Sequence, residues 1–271
     1  YALAQGDAPV VVATADGLMA RTLPPETLRS LAITLEVGGQ AELGALAEQL
    51  LSAGYTRCEQ VEGVGQFALR GGILDVFSPL MDQPVRCEFF DDEIDSMGAF
   101  DPGTQRRTRN VSSARILPAA EVLPHCAPGG LPGLADQLIA LAEKLAKKQK
   151  TEAIVQTLRE DAERLRSGAA PGAADRYLAA IYPTVTAGVH YLPPDAVVFL
   201  SESGRVDERV KNTVLQQKQD VEALLSAGVL AGEYAHLTLI AEELYAALED
   251  FPVILEDSLP TSRHPLRPRG L

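Results

Sequence analysis

Between Arg57 and Phe100 the chain carries five short alternating runs: RCEQV (57–61), QFALR (66–70), ILDVF (73–77), VRCEFF (85–90) and EIDSMGAF (93–100). Gly71-Gly72, Ser78-Pro79 and Asp101-Pro102 punctuate them, residue types that favour tight reversals. Such spacing predicts an antiparallel meander. An amphipathic helix precedes it, because Leu43, Leu46, Ala47, Leu50 and Leu51 recur at helical spacing from Glu42 to Ala53 and Gly54 stands where a C-cap glycine belongs. One helix packed on such a sheet makes a small α+β domain, placed at residues 37–119.

The flanks read differently. Residues 9–14, PVVVAT, form a continuous apolar run of the kind found in a strand covered on both faces, and Ala15-Asp16-Gly17 opens a short helical stretch after it. Pro24-Pro25 stops that helix, and ITLEV (33–37) leads to Gly38-Gly39, a natural boundary. After Pro118 come Ala/Leu/Glu/Lys-rich helical stretches at 131–147 and 151–167, then a strand AVVFL (196–200), a helix at 206–226, a short run LTLI (237–240), a helix at 241–249 and PVILE (252–256). Strands alternating with helices predict a parallel sheet. The economical reading is one α/β domain, residues 1–36 and 120–257, interrupted by the α+β domain and followed by a tail or linker at 258–271.

A length of 271 residues suits about two domains, and 46% hydrophobic residues can build their cores. Lys+Arg 24 against Asp+Glu 37 gives a net charge of −13, which argues against a surface that grips phosphates throughout, so any DNA contact has to be local. The three cysteines, Cys58, Cys87 and Cys126, have neither C-x-x-C spacing nor an even count, so they predict no disulfide framework or zinc site and fit a reducing cytoplasm. No apolar run approaches membrane-spanning length and no secretory n-region and h-region open the chain. A start at Tyr1, running at once into a strand-like segment, is read as a piece of something longer.

No G-x-x-x-x-G-K-[ST] occurs, so ATP hydrolysis by this segment is not expected. Gly63-Val64-Gly65-Gln66-Phe67-Ala68 matches a loose dinucleotide pattern but lies between two short strands, with no helix N-terminus to face a pyrophosphate. His125, His190, His236 and His264 are scattered without metal-ligand or triad spacing. The acidic run Asp91-Asp92-Glu93-Ile94-Asp95 reads as a turn between strands rather than a metal or acid/base site.

Strand 85–90 is more informative. Alternation puts Val85, Cys87 and Phe89 on one face and Arg86, Glu88 and Phe90 on the other. An aromatic beside Arg and Glu on a solvated face is the composition of a protein-binding hot spot; the alternative is a small satellite core covering Phe90. Arg70, ending QFALR before Gly71-Gly72, either joins Arg86 across the sheet or is a solvated rim residue. Arg106, Arg107, Arg109 and Arg115 make residues 101–118 net +3, either a contact for nucleic acid or an acidic partner, or a solvated face.

Residues 54–79, GYTRCEQVEGVGQFALRGGILDVFSP, and 84–124, PVRCEFFDDEIDSMGAFDPGTQRRTRNVSSARILPAAEVLP, resemble the UvrB-like N-terminal module of the bacterial transcription-repair coupling factor (Mfd) family. PVVVATADGLMARTLPP (9–25), DRYLAAIYPTVTAGVHYLPPDAVVFLSES (175–203) and LEDFPVILED (248–257) resemble the two halves of that module's α/β domain. The resemblance implies a degenerate helicase-type, P-loop-like parallel-sheet domain interrupted by an α+β domain similar to the second domain of UvrB. UvrB itself, or a DNA-binding module, is the alternative. Against UvrB, Ser201-Glu202-Ser203-Gly204 stands where a functional Walker B box would read Asp-Glu-Ser-His, and 125–174 lacks UvrB's long helical region.

What the resemblance implies for function is binding rather than chemistry in this segment. The inserted domain would recruit UvrA through Arg70 of the LRGG turn and Arg86 and Phe90 of VRCEFF; Glu88, by its place on the same face, is expected to orient the arginines. No cofactor is implied for this segment. The full-length protein would use ATP and Mg as a DNA translocase that displaces stalled RNA polymerase in the cytoplasm, with its UvrA face masked by another domain until a conformational change.

Overall fold

A computed structural model describes residues 1–258 and 266. The chain is mixed α/β. Its first elements are α1 (Ala2–Gln5), α2 (Ala15–Met19), α3 (Pro25–Ser30), β1 (Ile33–Glu36) and α4 (Leu43–Ser52). Strands β2 (Thr56–Arg57), β3 (Gln66–Arg70), β4 (Ile73–Val76), β5 (Val85–Phe90), β6 (Glu93–Phe100), β7 (Arg107–Asn110) and β8 (Ser113–Ile116) follow. Then come α5 (Gly130–Leu145), α6 (Glu152–Arg166), α7 (Leu178–Ile181), β9 (Val198–Ser201), α8 (Ser203–Ser226), α9 (Ala241–Leu248) and β10 (Val253–Glu256). Two compact units result: Glu26–Leu123, and Tyr1–Pro25 with Pro124–Leu271. The cuts fall outside the expected 37 and 119, because β1 pairs antiparallel with β8, Ile33 opposite Ile116, and so belongs with the inserted unit.

The inserted unit is one six-stranded sheet, ordered β2-β3-β4-β5-β6-β7, with the β1–β8 ribbon and α4. Strands β3 to β6 form the expected meander. Two features depart from it. The run 57–61 is not a strand beyond Arg57, and the short β2 pairs parallel with β3. Strands β7 and β8 carry the sequences RTRN and SARI, whose polar character concealed them.

Helix α4 begins where Glu42, its N-cap, accepts hydrogen bonds from the amides of Gly44 and Ala45 at 2.7 Å. It ends before Gly54, whose φ of +86° suits a residue without Cβ; a Cβ there would also meet that of Ala120 at 2.9 Å. Leu46, Ala47 and Leu50 of α4 bury against Phe67, Leu74, Val76, Val85, Cys87 and Met97. Each buried leucine contributes about 2 kcal/mol, so this face fixes which side of every strand is left for the outside.

In the second unit α5 and α6 pack as a helical pair, with Leu134 and Leu138 of the first and Leu158 of the second fully buried. Strands β9 and β10 pair parallel and bury Leu200 with Val210, Leu244 and Leu248. The expected strand at 9–14 is absent: Val10 and Val12 are exposed and the segment joins no ladder. An apolar run becomes a buried parallel strand only where neighbours flank it, and among the described residues this sheet has two strands. LTLI (237–240) likewise reduces to one isolated bridge, Thr238 with Ala20. Of the expected tail, only Ser258 and Leu266 lie among the described residues, and His264 lies outside them.

All three cysteines are free. Cys87 has no exposure, and burial, with the Asp75 charge adding to it, pushes its thiol up to about 12. At pH 8 it is therefore neutral as well as inaccessible. Native-state alkylation with iodoacetamide at pH 8, read by mass spectrometry, should leave Cys87 unmodified while urea-unfolded chain reacts at all three thiols; labelling of Cys87 as fast as Cys58 would contradict this packing.

Candidate docking face on the inserted sheet

The strands that give their inner side chains to α4 turn Ala68, Arg70, Asp75, Arg86, Glu88, Phe90, Ser96 and Gly98 to the opposite face. Register decides which of these meet. Asp75 on β4 stands opposite Ala68 of β3 on one side and Arg86 of β5 on the other, with Arg70 two residues along β3. Arg86 is bidentate on Asp75, Nε to Oδ1 at 2.7 Å and Nη2 to Oδ2 at 2.8 Å. Arg70 Nη2 donates to the same Oδ2 at 2.7 Å. Arg86, placed on this face by alternation, and Arg70, placed there only by the resemblance, thus converge on one carboxylate whose side chain has no solvent exposure.

That carboxylate, and not Glu88, orients the arginines. Glu88 instead accepts from Ser96 Oγ at 2.8 Å and lies 3.8 Å from Arg107 Nη2. Asp75 was missed because its partners are set by strand pairing, although its even spacing from Ile73 and Phe77 in ILDVF already put it on one face with them. Gln105 was missed as well. It sits at a φ of +59°, accepts from Arg86 Nη2 at 3.3 Å, and donates from Nε2 to the carbonyls of Pro102 and Val61 at 2.7 and 3.2 Å.

A dry floor supports the pair. Val61, Ala68, Phe77 and Phe100 form a satellite core on this outer face, and the Arg86 guanidinium lies 4.6 Å over the Phe100 ring. Its hydrogen bonding to Asp75 is the main cause holding the Arg86 pKa above its ordinary value, so Arg86 keeps its charge at any physiological pH. One carboxylate and two guanidiniums leave a net charge of +1 on this cluster.

The satellite core does not cover Phe90. That ring is 80% exposed, beside the two-residue turn Asp91-Asp92 that joins β5 to β6. Only Asp91-Asp92 of the acidic run make the turn, with Asp91 at a φ of +56°, while Glu93, Ile94 and Asp95 open β6. The backbone here is pinned: Ala41 N donates to Asp92 O at 2.8 Å, Gly38 N donates to Ile94 O at 2.8 Å, and Ile94 N donates to Gly39 O at 2.9 Å. Phe90 stands about 13 Å along β5 from Arg86, with Glu88 between them.

Arg106, Arg107 and Arg109 are all exposed, the last two on β7, the edge of the sheet. Only Arg107 contacts this face, through Ser96 Oγ at 3.2 Å and Glu88. In the other unit, Ser201 ends β9 and Glu202, at a φ of +54°, is the N-cap of α8. Asp257 accepts from Ser203 N at 2.6 Å and from Ser203 Oγ at 2.8 Å, and Ser258 Oγ donates to Glu202. His190 and His236 are used locally, on Ala187 N and Glu243. Among the described residues no group of His, Cys, Asp and Glu is arranged to hold a metal, and no helix is long and apolar enough to cross a membrane.

Residues 33–121 match the family model described as the UvrB interaction domain. The chain is similar to the transcription-repair-coupling factor of Bacillus subtilis (strain 168), 31% identical over 229 residues, covering 83% of this chain and 19% of that protein. Its similarity to the Myxococcus xanthus protein of the same name is 38% over 162 residues, 59% of this chain and 13% of the relative. For Staphylococcus aureus (strain USA300) the figures are 28% over 262 residues, 93% and 21%. The chain thus spans about a fifth or less of the length of these relatives.

The geometry ranks the three charged residues. Arg86→Ala would strip a fully buried carboxylate of its bidentate partner, a loss of about 3 to 5 kcal/mol. Asp75→Ala frees two guanidiniums whose side chains are 46% and 21% exposed and can reach water, so about 1 to 3 kcal/mol is expected. Arg70→Ala leaves the bidentate pair intact and should cost less than about 1 kcal/mol. Urea unfolding tests this order; equal losses for Arg70→Ala and Arg86→Ala would remove the distinction between the two arginines.

Proposed function

We propose, from the premise that the chain belongs to the transcription-repair-coupling factor family, that the outer face of its inserted sheet captures UvrA. The observation that carries the reading is Phe90: a large ring left in water on a pinned strand, on the same face as two guanidiniums already oriented by Asp75. Phe90 is the apolar anchor. Arg70 and Arg86 are the donors to carboxylates or carbonyls of the partner, and their planar forks suit paired acceptors.

The rest of the module is read as scaffold. Its interrupted unit is a helicase-type fold that no longer hydrolyses nucleotide, a reading supported by the parallel pair β9–β10, by Ser201 where a metal-holding Asp is needed, and by Asp257 seated on the first turn of α8. These residues do not fit a nucleotide with Mg. The whole protein, of which this chain is a part, would supply an ATP-dependent DNA translocase that displaces stalled RNA polymerase and passes the lesion to excision repair.

Phe90→Ala removes only an exposed ring, so the fold should be unchanged while UvrA affinity falls by about 1 to 3 kcal/mol. Arg70→Ala is the matching charge variant, since Arg86→Ala also perturbs stability. A pull-down in which the chain with Arg70, Arg86 and Phe90 all changed to Ala retains UvrA as well as wild type would remove the proposal. ATP turnover, or tight salt-sensitive binding of a DNA duplex by this chain, would favour a nucleic-acid enzyme instead.

A further inference from the structure

We infer that Arg107 is a third guanidinium of the docking face, re-aimed onto it by a β-bulge and admitted by Gly98, and that the partner surface opposite is correspondingly acidic. The inference rests on the docking reading above and extends it to a residue on a different strand.

Along β7 an unbroken ladder would point Arg107, Arg109 and Val111 the same way. Val111 packs into the core on the α4 side, and Arg109 stands opposite Ala99, which shares that side with Met97. The ladder is not unbroken. Arg109 pairs with Ala99 and Arg107 with the very next residue of β6, Phe100, so Thr108 is bulged. An extra residue in one strand reverses the facing of what lies beyond it, and Arg107 moves to the outer face where Phe100 lies. Thr108 Oγ1 fixes the bulge with bonds to Ala99 O at 3.2 Å and Gln83 at 2.8 Å.

On that face Arg107 lies flat because Gly98 leaves it room. A Cβ on Gly98 would stand 2.2 Å from Arg107 Nε and 2.8 Å from its Cδ. Across this gap the guanidinium reaches Ser96 Oγ at 3.2 Å, Asn110 Oδ1 at 3.4 Å and Glu88 at 3.8 Å, while its side chain stays 36% exposed. Glu88 therefore holds Arg107, as Asp75 holds Arg70 and Arg86. At its arginine end the face carries three guanidiniums against Asp75 and Glu88, with Glu93 standing apart opposite Phe90, and this local surplus suits an acidic partner surface.

The experiment measures UvrA affinity and its salt dependence for the full chain carrying Arg107→Ala, Arg106→Ala, Arg109→Ala or Gly98→Ala. Arg107→Ala should weaken binding about threefold to tenfold and flatten the salt dependence, while Arg106→Ala and Arg109→Ala stay within about twofold of wild type. Gly98→Ala keeps every arginine yet should reproduce the Arg107→Ala loss, and the double variant should lose no more than either. Wild-type affinity for Arg107→Ala, or equal losses for all three arginines, overturns the inference. Phe90→Ala run alongside separates the two claims: if it loses binding and Arg107→Ala does not, only the present inference fails, whereas if neither loses binding the docking reading fails with it.

Discussion

A carboxylate shut off from water, Asp75, shapes the outer face of the inserted sheet. Buried without partners it would cost several kcal/mol, and its three charge-assisted hydrogen bonds to Arg70 and Arg86 offset that penalty. The consequence runs outward. Two side chains that would otherwise sample many rotamers are already held, so a partner that binds them meets a smaller entropic cost. Because one negative charge is shared between two positive ones, the cluster still attracts carboxylates.

The same strands do both jobs. The α4 side of β3 to β6 is a continuous apolar core, and a one-residue slip would exchange that core for the charged face. Register is thus fixed by the helix and spent on the site. The floor under Arg86 follows the same logic: Phe77 and Phe100 make a second, smaller core on the outer face, which keeps water from beneath the ion pairs and leaves Phe90, further along β5, standing clear of it.

Much of this was legible in the sequence. The spacing of Leu43 to Leu51 and the glycine at 54 located α4 to within a residue, and simple alternation in VRCEFF put Arg86, Glu88 and Phe90 together. The resemblance to a family, rather than any local pattern, singled out Arg70. What could not be read were properties of pairing. Asp75 becomes the centre of the site only once β4 lies between β3 and β5; β7, all polar, shows no alternation of apolar residues; and its bulge reverses Arg107 with no mark in the sequence beyond Gly98 on the neighbouring strand. PVVVAT failed in the opposite sense, since its residues satisfy a buried strand but an apolar run does not supply its own neighbours.

Each unit sets one carboxylate at a positive centre. At the start of α8, Asp257 sets a carboxylate on a helix N-terminus that carries about half a positive charge, where it accepts from Ser203 N and Ser203 Oγ. In the inserted sheet Asp75 faces two full positive charges and leaves a surplus of one directed outward. What remains after internal pairing, not the number of charged residues, sets the local field, and around Asp75 it leaves a positive patch on a chain whose net charge is −13.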